Sequence, residues 1–283
     1  MPTTSQIIHL GFAILLFLAG LLLSLSRFWR DGDAARIGAK ICGWSGVVFA
    51  AGVLAWHAWQ RGGTWLPLDD NFEAFLWLAI LLAVFVLYVQ RARALGGLDW
   101  FVMPIVIVLL VAAIVFGRAA PHRYADETWS WVHRVTAYGG TLAFAIAGAA
   151  GAMYLLASRR LRHKTLPHGP RLGSLERLEH LTFTSVTLGF AMLTCGLIAG
   201  LIWQLRLEHL TGSSRLGEHW YRSPKVLMAL AVWVVYAVVL HARINPVFRG
   251  RKVAILSIVG CLLMVGTLIT LNLMPGDANG GQR

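Results

Sequence analysis

Apolar residues fall in eight long runs, at roughly residues 7–26, 39–59, 72–90, 98–117, 132–157, 181–205, 225–242 and 253–273. Each is near the ~20 residues that an α-helix needs to cross the hydrocarbon core of a bilayer. None shows the strict apolar–polar alternation of a half-buried strand. In lipid the backbone must satisfy its own hydrogen bonds, which a helix does internally. The pattern predicts an all-α integral membrane bundle of about eight transmembrane helices, forming a single membrane domain over residues 1–283. The connections are short except one, and no linker, low-complexity segment or clear internal repeat interrupts them. The first run lacks a basic n-region and a small-residue cleavage site, so it is expected to be a retained helix.

The basic residues give the runs an orientation. Arg27, Arg30, Arg36 and Lys40 follow the first run, and Arg91 and Arg93 the third. Arg159, Arg160, Arg162, Lys164, Arg171 and Arg177 follow the fifth. Arg243, Arg249, Arg251 and Lys252 follow the seventh. These are sixteen of the 25 Lys and Arg, and the alternate loops also hold Asp69, Asp70, Glu73, Asp126, Glu127, Glu208 and Glu218. Lys and Arg concentrate on the cytoplasmic side of membrane proteins. Both termini are therefore expected outside, together with the loop at 209–225. The membrane is expected to be the inner or plasma membrane.

Composition adds one exclusion. The chain is 57% hydrophobic and 13% charged, against about 25% charged in soluble domains. Its net charge of +12 does not point to nucleic acid, because the basic residues lie between apolar runs and form no continuous face. Cys42, Cys195 and Cys261 sit inside apolar runs without a CxxC spacing and are expected to be buried thiols. Gly148 with Gly151, and Gly196-x-x-x-Gly200, have the small-residue spacing that lets helices pack closely.

Candidate chemistry rests on histidines. His163, His168 and His180 lie in or beside the basic inner loop and are expected to be solvated. His9 has no company in sequence, and His122 lies in an outer loop. His57 lies between Trp56 and Trp59 at the outer end of the second run. His133 follows Trp129 and Trp131 at the outer end of the fifth, and His241 closes the seventh at its inner end. A histidine near hydrocarbon needs a partner or a task. Any one of these satisfies itself on a carbonyl or on water, or else serves as a ligand. No His-x-x-x-His or Cys–His pair sets a zinc geometry. Haem suits the pattern better, since it takes one or two axial imidazoles from distant helices inside an apolar, aromatic pocket. Arg123 and Arg134 are candidates for its propionates. His133 and His241 belong to opposite faces, about 30 Å apart, and do not share one iron. Asp69, Asp70 and Glu73, after Pro67, are expected to form a solvated loop that caps the third helix.

Several stretches resemble the CcsA/ResC/HemX cytochrome c assembly family. His57-Ala-Trp-Gln-Arg-Gly-Gly-Thr-Trp-Leu-Pro67 with Asn71-Phe-Glu-Ala-Phe-Leu-Trp77 is similar to one family signature. Val132-His133 through Ala137-Tyr138 is similar to another. Gly189-Phe190, Leu193-Thr194, Gly196, Gly200 and Trp203 resemble a family helix. Pro224-Lys225, Trp233, Tyr236, Leu240-His241-Ala-Arg243 and Arg249-Gly-Arg-Lys252 follow in order. The resemblance covers mainly residues 53–270.

It implies a protein that binds haem in the membrane and presents it outside for attachment to apocytochrome c, without bond-making chemistry of its own. It implies His133 and His241 as axial ligands of haem iron, with Trp220, His219 and His57 as further haem-side candidates. It implies apocytochrome c and a ResB/Ccs1-type membrane protein as partners. Two departures stand against it. The tryptophan-rich loop is reduced to Leu216-Gly-Glu-His-Trp-Tyr-Arg-Ser-Pro-Lys225, with Ser223 in place of the family's Asp. No histidine follows the last run, and His209 or His219 is the substitute available. These favour an alternative on the YpjD/HemX-like branch, a membrane regulator or scaffold that does not transfer haem. A small-solute transporter is a third reading, opposed by the absence of paired broken helices.

Overall fold

The computed structural model describes residues 3–26, 33–68, 70–90, 96–117, 127–162, 173–211, 224–241 and 250–273. They form eight α-helices and one 3-10 turn, with no strand among the described residues. The helices are α1 (Thr4–Ser26), α2 (Asp33–Arg61), α3 (Asn71–Val89), α4 (Asp99–Phe116), α5 (Thr128–Arg162), α6 (Leu175–Thr211), α7 (Pro224–His241) and α8 (Arg251–Leu273). The turn is Gly62–Thr64. Helices α1 to α6 are long and apolar enough to cross a membrane, and α7 adds a shorter apolar helix over Val226–His241. The chain is a multi-pass membrane protein.

All eight predicted runs are helical, but three helices start or end well outside them. At ~1.5 Å per residue, the 35 residues of α5 and the 37 of α6 each span more than 50 Å, against a hydrocarbon core of about 30 Å. Their ends therefore stand in the interfaces. Helix α2 begins at Asp33, where Arg36 pairs with Asp33 at 3.5 Å one turn on. Apolar runs mark the hydrocarbon, and helical hydrogen bonding carries on into the headgroups.

Polar contacts fix the order of the ends. Gln6 of α1 meets His57 of α2 at 3.1 Å, and Arg134 of α5 reaches the Leu68 carbonyl at 2.9 Å. This is the outer end in the charge-based orientation. At the opposite end Ser24 of α1 donates to the Asp99 carboxylate of α4, and Trp100 Nε1 donates to Ser24 Oγ at 3.0 Å. Gly250, just before α8, backs onto Tyr154 near the inner end of α5.

Two apolar clusters make the core. One joins α1 to α5 and includes Phe17, Phe72, Leu76, Leu82, Val106 and Met153. The other joins α5 to α8 through Phe144, Val186, Val232, Tyr236 and Val253. Helix α5 contributes to both, and its interface with α6 is the most extensive in the molecule. The cause is its middle, Gly139 to Ala152, which is dominated by Gly and Ala. Between helices in lipid, close backbone approach and van der Waals packing replace the hydrophobic drive found in water. Phe144 stacks on Tyr236 with ring centroids 3.6 Å apart. A Cβ on Gly151 would lie 2.8 Å from the Ala254 carbonyl oxygen, and one on Gly148 would lie 2.7 Å from Cys261 Cβ. The thiols depart from expectation: Cys195 is exposed and Cys42 and Cys261 are half-buried. Small thiols are tolerated on a surface that faces lipid.

Gly151→Ala should lower the thermal midpoint in detergent, since forcing α5 and α8 apart costs about 1–3 kcal/mol. Gly52→Ala, whose Cβ would meet nothing within 4 Å, should hold or raise it by removing unfolded-chain entropy. Equal effects at both positions would show that the α5–α8 approach does not limit stability.

Candidate functional site

The outer ends of α1, α2 and α3 close over a polar network. After Pro67 the chain turns through Leu68, which has φ 61, the only positive value at a non-glycine among the described residues. Asp70 then caps α3, its Oδ1 accepting the Glu73 N–H at 2.7 Å. Its other oxygen, Oδ2, takes the Arg61 guanidinium at 2.9 Å and His57 Nε2 at 3.0 Å. Glu73 Oε1 lies 3.5 Å from the same imidazole nitrogen and accepts from Trp65 Nε1 at 2.6 Å. Glu73 Oε2 is buried without a hydrogen-bond partner. The Asp70-x-x-Glu73 spacing is that of a capping box, but Glu73 turns to Trp65 and His57 and not back to the cap. The cap was predicted. The predicted solvation does not hold: Asp70 and Glu73 are both 0% exposed, because the turn folds down onto His57 and is held by Arg134, while Asp69 lies outside the described residues.

Gln6 settles the state of His57. Its Oε1 accepts the Thr3 N–H at 2.9 Å, so its amide nitrogen faces His57 Nδ1. Nδ1 therefore accepts, and Nε2 carries the proton shared toward Asp70. Both nitrogens of His57 are engaged.

His133 is held differently. Its Nδ1 lies 2.7 Å from the Gly196 carbonyl oxygen. A carbonyl only accepts, so Nδ1 donates and Nε2 keeps its lone pair. A backbone carbonyl on one ring nitrogen is the usual outer-shell support of a metal-bound histidine. Trp203 lies beside the ring, its plane inclined by 28° and the centroids 6.3 Å apart. Gly200 makes the space, since a Cβ there would lie 2.8 Å from His133 Nδ1. The Gly196–Gly200 pair thus serves the seat of His133 as well as helix packing. Arg134 is buried and donates to the Ser130 and Leu68 carbonyls, which ties it to the backbone of α5 and of the turn before α3.

His241 stands exposed at the other end of α7, with Nδ1 2.8 Å from the Ala237 carbonyl. A carbonyl only accepts, so Nδ1 donates there too, and Nε2 stays off the backbone. Trp233 of α7 bonds Thr194 of α6 at 3.0 Å. Counting helical rise from that contact puts His133 and His241 about 15–20 Å apart along the bundle, less than the span of the hydrocarbon but too far for one iron. His9, which had no company in sequence, packs edge-on against Trp56 with centroids 5.4 Å apart. His180 and His209 are exposed. Trp220, His219, Arg123, His122, His163 and His168 lie outside the described residues.

Residues 65–275 match the family described as Cytochrome C assembly protein. The chain belongs to that family. Within the cytochrome c assembly family it is similar to the cytochrome c biogenesis protein CcsA of Parasynechococcus marenigrum, at 34% identity over 104 residues. That alignment takes in 37% of this chain and 32% of the relative. CcsA of Prochlorococcus marinus is 38% identical over 99 residues, 35% of this chain and 29% of the relative. CcsA of Crocosphaera subtropica is 33% identical over 125 residues, 44% of this chain and 35% of the relative. The chain spans about a third of the length of the curated relatives it matches. No solved structure matches. The family match takes in Trp65, Asp70, Glu73, His133 and His241, and begins after His57 and Arg61.

Sequence reading had not joined Gln6, Arg61, Trp65 and Glu73 to His57. The i, i+4 spacing of His57 and Arg61 puts both on one face of α2, and was a usable signal. Gln6 had none, since its role depends on α1 packing against α2.

Asp70→Asn keeps the shape of the cap but removes the charge that Arg61 and His57 face. Breaking a buried ion pair costs about 3 kcal/mol, so the thermal midpoint in detergent should fall by several degrees. A midpoint unchanged within error would show that solvent already screens the pair.

Proposed function

We propose that this protein takes up haem within the membrane and presents it on the extracytoplasmic side for cytochrome c assembly. The observation that carries the reading is the seat of His133. One ring nitrogen is fixed on a backbone carbonyl, the other stays off the backbone, and an indole lies beside the ring at an inclination of 28°. Haem supplies an iron that takes an axial imidazole and a flat apolar face that suits aromatic neighbours. The donor set therefore fits the group.

In this reading His133 holds the outer position through Nε2. The Gly196 carbonyl orients the ring, Gly200 leaves it room, and Trp203 excludes water from one side. His241, exposed at the inner end of α7 with its Nε2 off the backbone, holds the inner position and meets haem arriving in the bilayer. Trp220 and His219, between α6 and α7 in sequence, are the further haem-side candidates. His57 belongs to the carboxylate network and not to the iron. The protein binds, orients and hands over, and makes no bond itself. Apocytochrome c is the acceptor, and a ResB/Ccs1-type membrane protein is the partner that completes the assembly. The departures in the loop around Ser223 favour a second reading, a HemX-like regulator that does not transfer haem.

The test is the visible spectrum of the protein purified in mild detergent, oxidised and then reduced, with a pyridine extract to count haem. The expected result is a Soret band that shifts on reduction, at about one haem per chain or more. His133→Ala and His241→Ala should each lower the count. A double variant that keeps all the haem of the parent removes the assignment of both ligands. A colourless parent, even with haem supplied during expression, selects the regulator.

A further inference from the structure

We propose that His57, Asp70 and Glu73 form a binding site for one divalent transition-metal ion of the zinc type, at the outer end of α2 and α3. The site is separate from the haem-side histidines and does not depend on them. One ligand atom from each of the three residues lies within 4.8 Å of the other two, and all three residues are buried. His57 Nε2 is 3.0 Å from Asp70 Oδ2 and 3.5 Å from Glu73 Oε1. Tetrahedral ligand bonds of about 2.0–2.2 Å set neighbouring ligands about 3.3–3.6 Å apart, so the imidazole stands close to that spacing from both carboxylates, and the two carboxylates lie within 4.8 Å of each other.

The second observation is Glu73 Oε2, which is buried, lacks a hydrogen-bond partner and belongs to a side chain 0% exposed. An ionised carboxylate oxygen only accepts, from a hydrogen-bond donor or from a cation. Among the described residues the charged or titratable groups that act on Glu73 are Asp70, His57 and Arg61. Two buried carboxylates then face a single guanidinium, and both are balanced only with one more positive charge, a proton or a cation. An isolated buried charge is too costly to persist, and a cation closes that deficit. One imidazole with two carboxylates suits zinc or manganese, whereas magnesium and calcium prefer oxygen alone.

Two local adjustments accompany binding. Arg61 holds Asp70 Oδ2 at 2.9 Å and is the one member of the cluster with an outlet, its side chain being 16% exposed. It shifts outward to share that oxygen. His57 moves its proton from Nε2 to Nδ1, and the Gln6 amide turns over so that Oε1 accepts it. Gln6 then supports the ligand from behind, as carboxylates and carbonyls do for metal-bound histidines. The ion would bolt α2 to α3 beside the turn that Arg134, the neighbour of His133, holds by its Leu68 carbonyl.

The test uses the full chain carrying His133→Ala and His241→Ala, purified without haem and stripped with chelator, so that zinc at the haem-side histidines does not contribute. Calorimetric titration with Zn2+ should give one ion per chain. Glu73→Gln, which keeps the acceptor for Trp65, should weaken that affinity by about tenfold or more. Gln6→Glu, which offers only acceptors to Nδ1, should tighten it. Helicity and monodispersity confirm that each variant is folded. Absence of a stoichiometric ion overturns the site and means that a proton closes the cluster. So does an affinity that ignores Glu73→Gln, or a Gln6→Glu variant that binds no tighter. None of these results bears on whether the parent chain binds haem, which the spectrum of the parent decides separately.

Discussion

Close backbone approach along α5 is what the rest of the structure depends on. A helix with large side chains all round holds its neighbours at a distance, and lipid does not push them together. From Gly139 to Ala152, α5 is mostly Gly and Ala, so α6 and α8 settle against its backbone and α3 and α4 close from the other side. Both core clusters draw on α5 as a result. The outer end of the same helix carries His133 and Arg134. The chemistry at that end therefore rests on the most tightly packed element of the bundle, which is where a ligand needing a fixed position should sit.

Polar groups then decide how the ends of the helices are joined. In water a Gln–His or Ser–Asp contact contributes little, because solvent competes for each group. At a membrane interface the alternative is an unsatisfied group, and such contacts become positional. Helix α1 is only lightly buried in its apolar middle, yet Gln6 holds its outer end to α2 and Ser24 holds its inner end to α4. Arg134 performs the same task between the halves of the molecule, since its bond to the Leu68 carbonyl joins α5 to the turn before α3. A left-handed backbone at Leu68 costs on the order of 1 kcal/mol. It persists because Arg134 holds the carbonyl that follows and Asp70 caps the helix that begins three residues on.

The sequence carried the helices and their order, because eight apolar runs of spanning length admit few other folds. It did not carry their ends. Helices α5 and α6 run on into polar segments where helical hydrogen bonding continues and hydropathy falls silent. For the site, the split was between local and distant signals. The small-residue spacing at Gly196 and Gly200 announced close packing, and close packing followed. That Gly200 also makes room for an imidazole was invisible, because His133 arrives from 67 positions earlier in the chain. Asp70 and Glu73 were legible as a cap and illegible as buried groups. Three acidic residues after a proline look solvated until the contacts of Trp65, Arg61 and Arg134 are known, and none of those contacts is local to the cap.

The same physical rule sorts the three histidines singled out by their place at helix ends. Each sits near hydrocarbon and each must satisfy at least one ring nitrogen. His133 and His241 do so on a backbone carbonyl, an acceptor that makes Nδ1 the donor and leaves Nε2 off the backbone. His57 does so on the Gln6 amide, which the Thr3 N–H turns to present its donor, and this fixes the proton on Nε2 toward Asp70. The first arrangement is ready to ligate. The second is ready to share a proton, and becomes a ligand only when Gln6 turns over. One side-chain amide on α1, with no signal in its own sequence neighbourhood, thus separates His57 from His133 and His241. Composition and spacing had grouped all three.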